Sequence, residues 1–165
     1  MKKEALGVDI GNVITDHRPV KDIKDESFWR DKYSTIPASK GVFEYLKKLN
    51  SGKFRDNIFL VSRAKEEHEK RILTWLVDND FYNKTGIKPK NVFFCRERHE
   101  KERICRENNI TYFVDDRLEV LSHMVGKIPH LFLFQPDPQE VEEFKQFLPN
   151  VIGVGSWEEI MEKIK

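Results

Sequence analysis

The sequence lacks any apolar run long enough to cross a membrane. Its longest runs, such as residues 58–61 and 131–134, have four residues, whereas a membrane-spanning helix needs about 18. Lys2 and Lys3 are not followed by an apolar segment, so we expect no signal peptide. These absences favour a cytoplasmic protein with no membrane partner.

The sequence also lacks an excess of charge of one sign, and it contains only two cysteines. The 165 residues include 29 Lys and Arg and 28 Asp and Glu, which gives a formal net charge of +1. A protein that binds nucleic acid electrostatically needs a basic excess or a basic face, so we do not expect a nucleic-acid partner. Cys95 and Cys105 cannot form a disulfide framework and lack the spacing of a zinc site. We expect two reduced thiols.

Short apolar runs alternate with amphipathic stretches along the whole chain, which predicts strands alternating with helices. This alternation is typical of an α/β fold with a Rossmann-like parallel sheet flanked by helices. The length fits one domain over residues 1–165. The predicted strands are 5–10, 57–62, 92–95, 111–114, 130–134 and 151–154, and the predicted helices are 39–49, 65–79, 99–109, 118–124, 138–147 and a last one that begins at Ser156.

The helix predicted over 65–79 has an apolar stripe, and we expect this stripe to be buried. Its members are Ile72, Leu73, Leu76 and Val77. His68, near the start of this helix, and His99, near the start of a later one, are not spaced as a metal-binding pair. We expect both to be exposed helix residues.

Residues 16–37 interrupt the alternation directly after the first strand. The segment carries charged residues together with Trp29 and Tyr33, and an insert of this length is uncommon unless it covers something. We interpret it either as a small flap or minimal cap over a site, or as a surface excursion.

Polar residues follow several predicted strands at their carboxyl ends, where open parallel sheets bind ligands. Asp9 ends the first strand, Ser62 the second, and Asp115-Asp116 the fourth. Adjacent carboxylates beside an apolar strand repel each other and resist desolvation, and a hard cation such as Mg²⁺ relieves both costs. An acidic helix N-cap is the alternative for this pair taken alone. Together with Asp9, the pair favours a metal site.

These residues resemble the four ordered motifs of the haloacid dehalogenase superfamily. The motifs are VDIGNVI at residues 8–14, FLVS ending at Ser62, Lys101, and FVDD ending at Asp116. The resemblance covers residues 5 to about 120 and implies a phosphohydrolase with a minimal cap. Its dehalogenase branch needs no Mg²⁺, so the retained Asp-Asp pair favours a phosphatase.

The resemblance implies a role for each residue that matches a motif. Asp9 corresponds to the nucleophile that forms an aspartyl-phosphate, Ser62 to the hydroxyl that binds a phosphoryl oxygen, and Lys101 to the lysine that neutralises charge. Asp9 and Asp116 correspond to direct Mg²⁺ ligands. Asp115 lies beside them or binds through water.

Three further residues are candidates at the same site. The backbone carbonyl of Gly11 corresponds to another metal ligand. Asn12 is a candidate for substrate binding. Arg63 follows Ser62 and could reach a substrate phosphate, although a surface salt bridge is as good an explanation.

The sequence departs from the usual phosphatase pattern at Gly11, where a second aspartate acts as general acid and base. Losing such a group costs on the order of 10²–10⁴ in rate, although some phosphatases of the superfamily resemble this chain in having glycine there. Asp16 or His17 could stand in, or both could lie in a solvated turn.

The expected function is Mg²⁺-dependent hydrolysis of a phosphate monoester, such as a nucleotide, phosphosugar or phosphoprotein. The first alternative is a catalytically weak, phosphate-binding regulatory or interaction module. The second is a plain α/β domain with acidic caps. The sequence predicts neither the substrate nor the oligomeric state.

Overall fold

The computed structural model describes residues 3–164 and contains a six-stranded parallel sheet with the order β3-β2-β1-β4-β5-β6. The predicted α/β fold with a Rossmann-like parallel sheet is confirmed. The strands are β1 (Leu6–Val8), β2 (Ile58–Arg63), β3 (Val92–Cys95), β4 (Tyr112–Asp115), β5 (His130–Phe134) and β6 (Ile152–Val154).

Helices connect the strands and cover the sheet. The α-helices are α1 (Glu26–Asp31), α2 (Val42–Ser51), α3 (Glu66–Asp78), α4 (Phe81–Thr85), α5 (Glu100–Glu107), α6 (Leu118–Ser122), α7 (Pro138–Glu143) and α8 (Trp157–Lys163). Within the described range, 3-10 helices cover Arg18–Val20, Tyr33–Thr35, Pro89–Asn91 and Lys145–Asn150. Among residues 3–164, no helix is long and apolar enough to cross a membrane.

The apolar core forms two layers, one on each face of the sheet. Apolar side chains of α2, α3, α4 and α8 pack in one cluster with Leu6 and Val8 of β1. Side chains of α5 and α6 pack in the other cluster with Phe113 of β4. A sheet buried on both faces explains why its central strands read as continuous apolar runs.

Gly7 in β1 allows the side chain of Phe113 to pack against the backbone. The two residues are register partners in neighbouring strands. A Cβ atom at Gly7 would lie 2.5 Å from Cδ2 of Phe113, which is closer than two carbon atoms can approach. The absence of a side chain at Gly7 therefore leaves room for the ring of Phe113. Both strands, β1 and β4, lead into the predicted site.

The predicted buried stripe of α3 is wrong at two positions. Leu73 and Val77 are 40% and 65% exposed, whereas Trp75 is fully buried and its indole N–H donates to the carbonyl of Ile36 at 2.8 Å. The inward face is centred on Ile72, Trp75 and Leu76, because residues one position further along point about 100° away.

The α-helix predicted over residues 138–147 ends earlier than expected, and its last part is a 3-10 helix. The helix α7 stops at Glu143, and a 3-10 helix continues over Lys145–Asn150. Pro149 lies inside that 3-10 helix and cannot donate a backbone hydrogen bond. The helix α4, just after α3, was not predicted.

Candidate functional site

The candidate site lies where the strand order reverses, between β1 and β4. Open α/β sheets bind ligands at this point, beyond the carboxyl ends of the strands. Asp9 follows β1, and its backbone N–H donates to the carbonyl of Val114 in β4 at 3.0 Å. Asp115 ends β4 and Asp116 follows it. The sheet therefore brings together carboxylates that are more than 100 positions apart in the chain.

Lys101 joins two of these carboxylates inside the protein. Its Nζ lies 3.0 Å from Oδ1 of Asp9 and 2.8 Å from Oδ2 of Asp115. All three side chains are buried. Burial opposes the charge of Lys101, but Asp115 and Asp9 outweigh it and raise the pKa of the ammonium above its ordinary value. The lysine thus stays charged and fixes both carboxylates.

Asp116 adds a third carboxylate to this cluster. Burial, followed by the charges of Asp115 and Asp9, raises the pKa of Asp116 to about 9. Burial and the charge of Asp9 raise the pKa of Asp115 to about 6. These shifts mean that Lys101 alone does not offset three carboxylates at this distance.

The three carboxylates fit a divalent cation. Asp9, Asp115 and Asp116 each offer an oxygen atom, and these atoms lie within 4.8 Å of one another. Oxygen donors suit hard cations such as Mg²⁺, and two positive charges would balance what Lys101 leaves uncompensated. The residues present therefore fit a metal ion.

A cavity of about 170 Å³ opens above the cluster. Its lining contains every predicted site residue except Asp115: Asp9, Gly11, Asn12, Ser62, Arg63, Lys101 and Asp116. Ser62 is buried at the end of β2. The cavity therefore presents two carboxylates, a hydroxyl, an ammonium and a guanidinium to one small volume.

Asp115 lies below the cavity and is fully buried. Its Oδ2 accepts from Lys101, and its Oδ1 accepts from the backbone N–H of Arg117 at 3.0 Å. Asp116 instead lines the cavity. Of the two adjacent carboxylates, Asp116 is therefore the one that a ligand in the cavity can reach.

Three further polar residues of the cavity were not predicted as site residues. They are His68, Arg98 and Arg117. The expectation that His68 is exposed is wrong, because its ring packs edge-on against Tyr33 with centroids 5.1 Å apart, and burial lowers its pKa. Each of the three lies near the start of a helix that follows a strand. Because these helix starts lie at the carboxyl ends of strands, where ligands bind, a search of the helix starts in the sequence would have found them.

Gly11 leaves open the position where the usual second aspartate would lie. A Cβ atom there would meet only Cε1 of His17, at 3.9 Å. Asp16 accepts hydrogen bonds of 2.9 and 2.8 Å from the guanidinium of Arg18, and these hydrogen bonds are the main cause that lowers its pKa. Asp16 is therefore an ion at neutral pH and a poor proton donor.

His17 does not lie in a solvated turn. Its Nε2 is 2.8 Å from Oγ1 of Thr15, and its ring packs against the rings of Trp29 and Tyr33. Burial, with a smaller effect of His68, lowers the pKa of His17 to about 4. The imidazole is therefore neutral at pH 7, and the structure gives neither Asp16 nor His17 the protonation state of a good general acid.

Comparisons with known proteins bear on the fold. No protein-family model matches the sequence, and no curated protein matches it. A crystal structure from Burkholderia xenovorans LB400, described as a haloacid dehalogenase-like hydrolase, superposes with a TM-score of 0.71 over 100% of both chains. The sequences are 11% identical. The chain has a haloacid dehalogenase-like fold.

A second cavity, of about 520 Å³, adjoins the first at this edge of the haloacid dehalogenase-like fold. Asn12 and Asp116 line both cavities. The second is also lined by Trp29 and Lys21 of the 16–37 segment and by the turn after β5. It therefore offers an aromatic ring and an ammonium directly beside the acidic cluster.

Proposed function

We propose that this protein is a Mg²⁺-dependent phosphohydrolase that acts on a phosphate monoester through an aspartyl-phosphate. The observation that carries the proposal is the buried contact of Lys101 with Asp9 and Asp115, beside Asp116 and under a cavity lined by Ser62. A carboxylate held this way is oriented as a nucleophile. The surrounding donors are oriented to bind a phosphoryl group.

The proposed reaction has two displacements at phosphorus. A carboxylate oxygen of Asp9 bonds to phosphorus as the bond to the alcohol oxygen breaks, and the departing alkoxide takes a proton from a water molecule, which leaves hydroxide. A second water molecule then attacks phosphorus, the bond between phosphorus and the Asp9 oxygen breaks, and the hydroxide takes up the proton of the attacking water. Inorganic phosphate leaves and the Asp9 carboxylate is restored. Ser62 and Lys101 donate hydrogen bonds to phosphoryl oxygens.

Mg²⁺ would be held by Asp9, Asp116, the carbonyl of Gly11 and, directly or through water, Asp115. It would supply positive charge beside the transferring phosphoryl group. The proposal for this metal rests on the oxygen donors and on the carboxylate charge that Lys101 leaves uncompensated.

The alcohol part of the substrate would occupy the second cavity, because the two cavities share Asn12 and Asp116. A nucleotide or phosphosugar would place its ring near Trp29, and a phosphoprotein would place a side chain there. In this proposal, residues 16–37 act as a minimal cap that contributes Tyr33 to the first cavity and Trp29 to the second.

A second candidate is a catalytically weak protein that binds phosphate and Mg²⁺ as a regulatory or interaction module. The observation that favours it is the open position beside Gly11, together with the ionised Asp16 and the neutral His17. The two candidates share the binding site and differ in turnover.

The experiment compares hydrolysis of p-nitrophenyl phosphate, with and without Mg²⁺, by the wild type and Asp9→Asn. This ester has a good leaving group and tolerates a missing general acid. We expect Mg²⁺-dependent turnover in the wild type and only the background rate in Asp9→Asn. A matched control is Asp78→Asn, which changes an exposed carboxylate on α3 and should keep full turnover.

Turnover that survives in folded Asp9→Asn would contradict the mechanism. Binding of Mg²⁺ and phosphate without turnover in the wild type would support the binding-module candidate instead. Circular dichroism of each variant checks that the fold is intact.

A further inference from the structure

Tyr33 carries a buried hydroxyl that has no hydrogen-bond partner among residues 3–164. The side chain is 3% exposed and comes from the 16–37 segment, in the 3-10 helix Tyr33–Thr35. Buried polar atoms are nearly always paired, so an unpaired one requires an explanation. A hydroxyl at a ligand site can be satisfied by the ligand.

The ring of Tyr33 packs between His68, which lines the first cavity, and His17, which lines the second. The ring centroid of Tyr33 lies 5.1 Å from that of His68 and 6.0 Å from that of His17, and both contacts are edge-on. Tyr33 lines the same cavity as Asp9, Ser62 and Lys101. These contacts hold the phenol in place before any ligand binds.

The neighbourhood of the hydroxyl favours a donor role. Burial is the main cause that raises the pKa of Tyr33, and the charge of Asp9 raises it further. The nearby Thr15 hydroxyl lowers this pKa by less. Oγ1 of Thr15 is already engaged, at 3.2 Å from the carbonyl of Ile10 and 2.8 Å from Nε2 of His17. The phenol therefore keeps its proton at neutral pH and can donate it in a hydrogen bond.

A phosphoryl group in the cavity would need such a donor. Its oxygen atoms accept hydrogen bonds, and Lys101 already uses two of its three N–H groups on Asp9 and Asp115. A neutral hydroxyl adds a hydrogen-bond donor but no charge, so it does not compete with the ion pairs of Lys101 with Asp9 and Asp115.

We infer that Tyr33 is a phosphate-binding residue, supplied by the 16–37 segment, whose hydroxyl donates a hydrogen bond to a phosphoryl oxygen of the substrate. This inference rests on the proposed function, since it assumes that the first cavity binds a phosphoryl group. It gives the segment a direct contact with the reacting group in addition to any covering role.

The test measures binding of inorganic phosphate, in the presence of Mg²⁺, to the wild type, Tyr33→Phe and Tyr82→Phe by titration calorimetry. Phenylalanine keeps the ring and removes the hydroxyl. A hydrogen bond to a charged acceptor corresponds to a loss of about 10- to 100-fold in affinity, which we expect for Tyr33→Phe. Tyr82 lies on α4 outside the cavity, so Tyr82→Phe should bind phosphate as the wild type does.

Thermal unfolding of the same variants separates binding from packing. Removing an unpaired buried hydroxyl should leave the Tm unchanged or raise it. A phosphate Kd of Tyr33→Phe within twofold of the wild-type value would overturn the inference. If Tyr33→Phe also had a lower Tm, the hydroxyl would be hydrogen-bonded within the protein rather than available to phosphate. If the wild type binds no phosphate with Mg²⁺, the proposed function fails as well.

Discussion

Gly11 is the residue at which this chain differs most from the phosphatase pattern it resembles. The structure shows no steric reason for a glycine there, because a Cβ atom would meet only His17 Cε1 at 3.9 Å. The position also has no positive φ that would favour glycine. A side chain can therefore be added without disturbing the backbone.

Replacing Gly11 with aspartate should restore a general acid and base beside Asp9. For an alkyl phosphate, whose leaving group needs a proton, we expect kcat to rise about tenfold or more in Gly11→Asp. For p-nitrophenyl phosphate the gain should be smaller. Steady-state kinetics with both substrates checks this, and Gly11→Asn is the control that adds similar bulk without an acid. An equal gain in Gly11→Asn would contradict the explanation.

Most individual site residues could be predicted from the sequence, because a strand end marks them. Asp9, Ser62 and Asp116 follow apolar runs directly, and the structure places all three around one cavity with Lys101. The half-buried position of His68 could not be predicted, because its contact with Tyr33 depends on how the 16–37 segment folds back. No periodicity in the sequence encodes that path.

Among the helices, α3 matches its prediction better in position than in orientation. The helix α3 spans Glu66–Asp78, close to the predicted 65–79, yet Leu73 and Val77 face solvent. The sequence offers two overlapping apolar stripes on α3, and the contact of Trp75 with Ile36 decides between them. That contact joins residues from separate elements, so local spacing cannot reveal it.

The strand β1 gives a stability prediction. Gly7→Ala should lower the free energy of unfolding by about 1–3 kcal/mol, because the added methyl group overlaps the Phe113 ring. Gly153→Ala in β6 is the matched control, since no atom lies within 4 Å of a Cβ there. Urea unfolding of both variants measures the difference. Equal stability of the two variants would mean that β1 and β4 are not packed as described.

At the scale of the molecule, the order of the strands creates the site. Alternation of strands and helices predicts a parallel sheet, but it does not specify which strands are neighbours, since pairing depends on contacts between distant segments. The observed order places β1 beside β4. Asp9 therefore meets Asp115 and Asp116, and Lys101 reaches Asp9 and Asp115 from α5.

In the proposed mechanism, this arrangement makes Asp9 a nucleophile toward phosphorus. The most direct measurement is mass spectrometry of the protein after acid quenching during turnover of p-nitrophenyl phosphate with Mg²⁺. We predict a phosphoryl group on the peptide that contains Asp9, and its absence when Mg²⁺ is removed or when the variant is Asp9→Asn. Turnover without a phosphorylated Asp9 peptide, or with the phosphoryl group on another residue, would contradict the role of Asp9 as nucleophile.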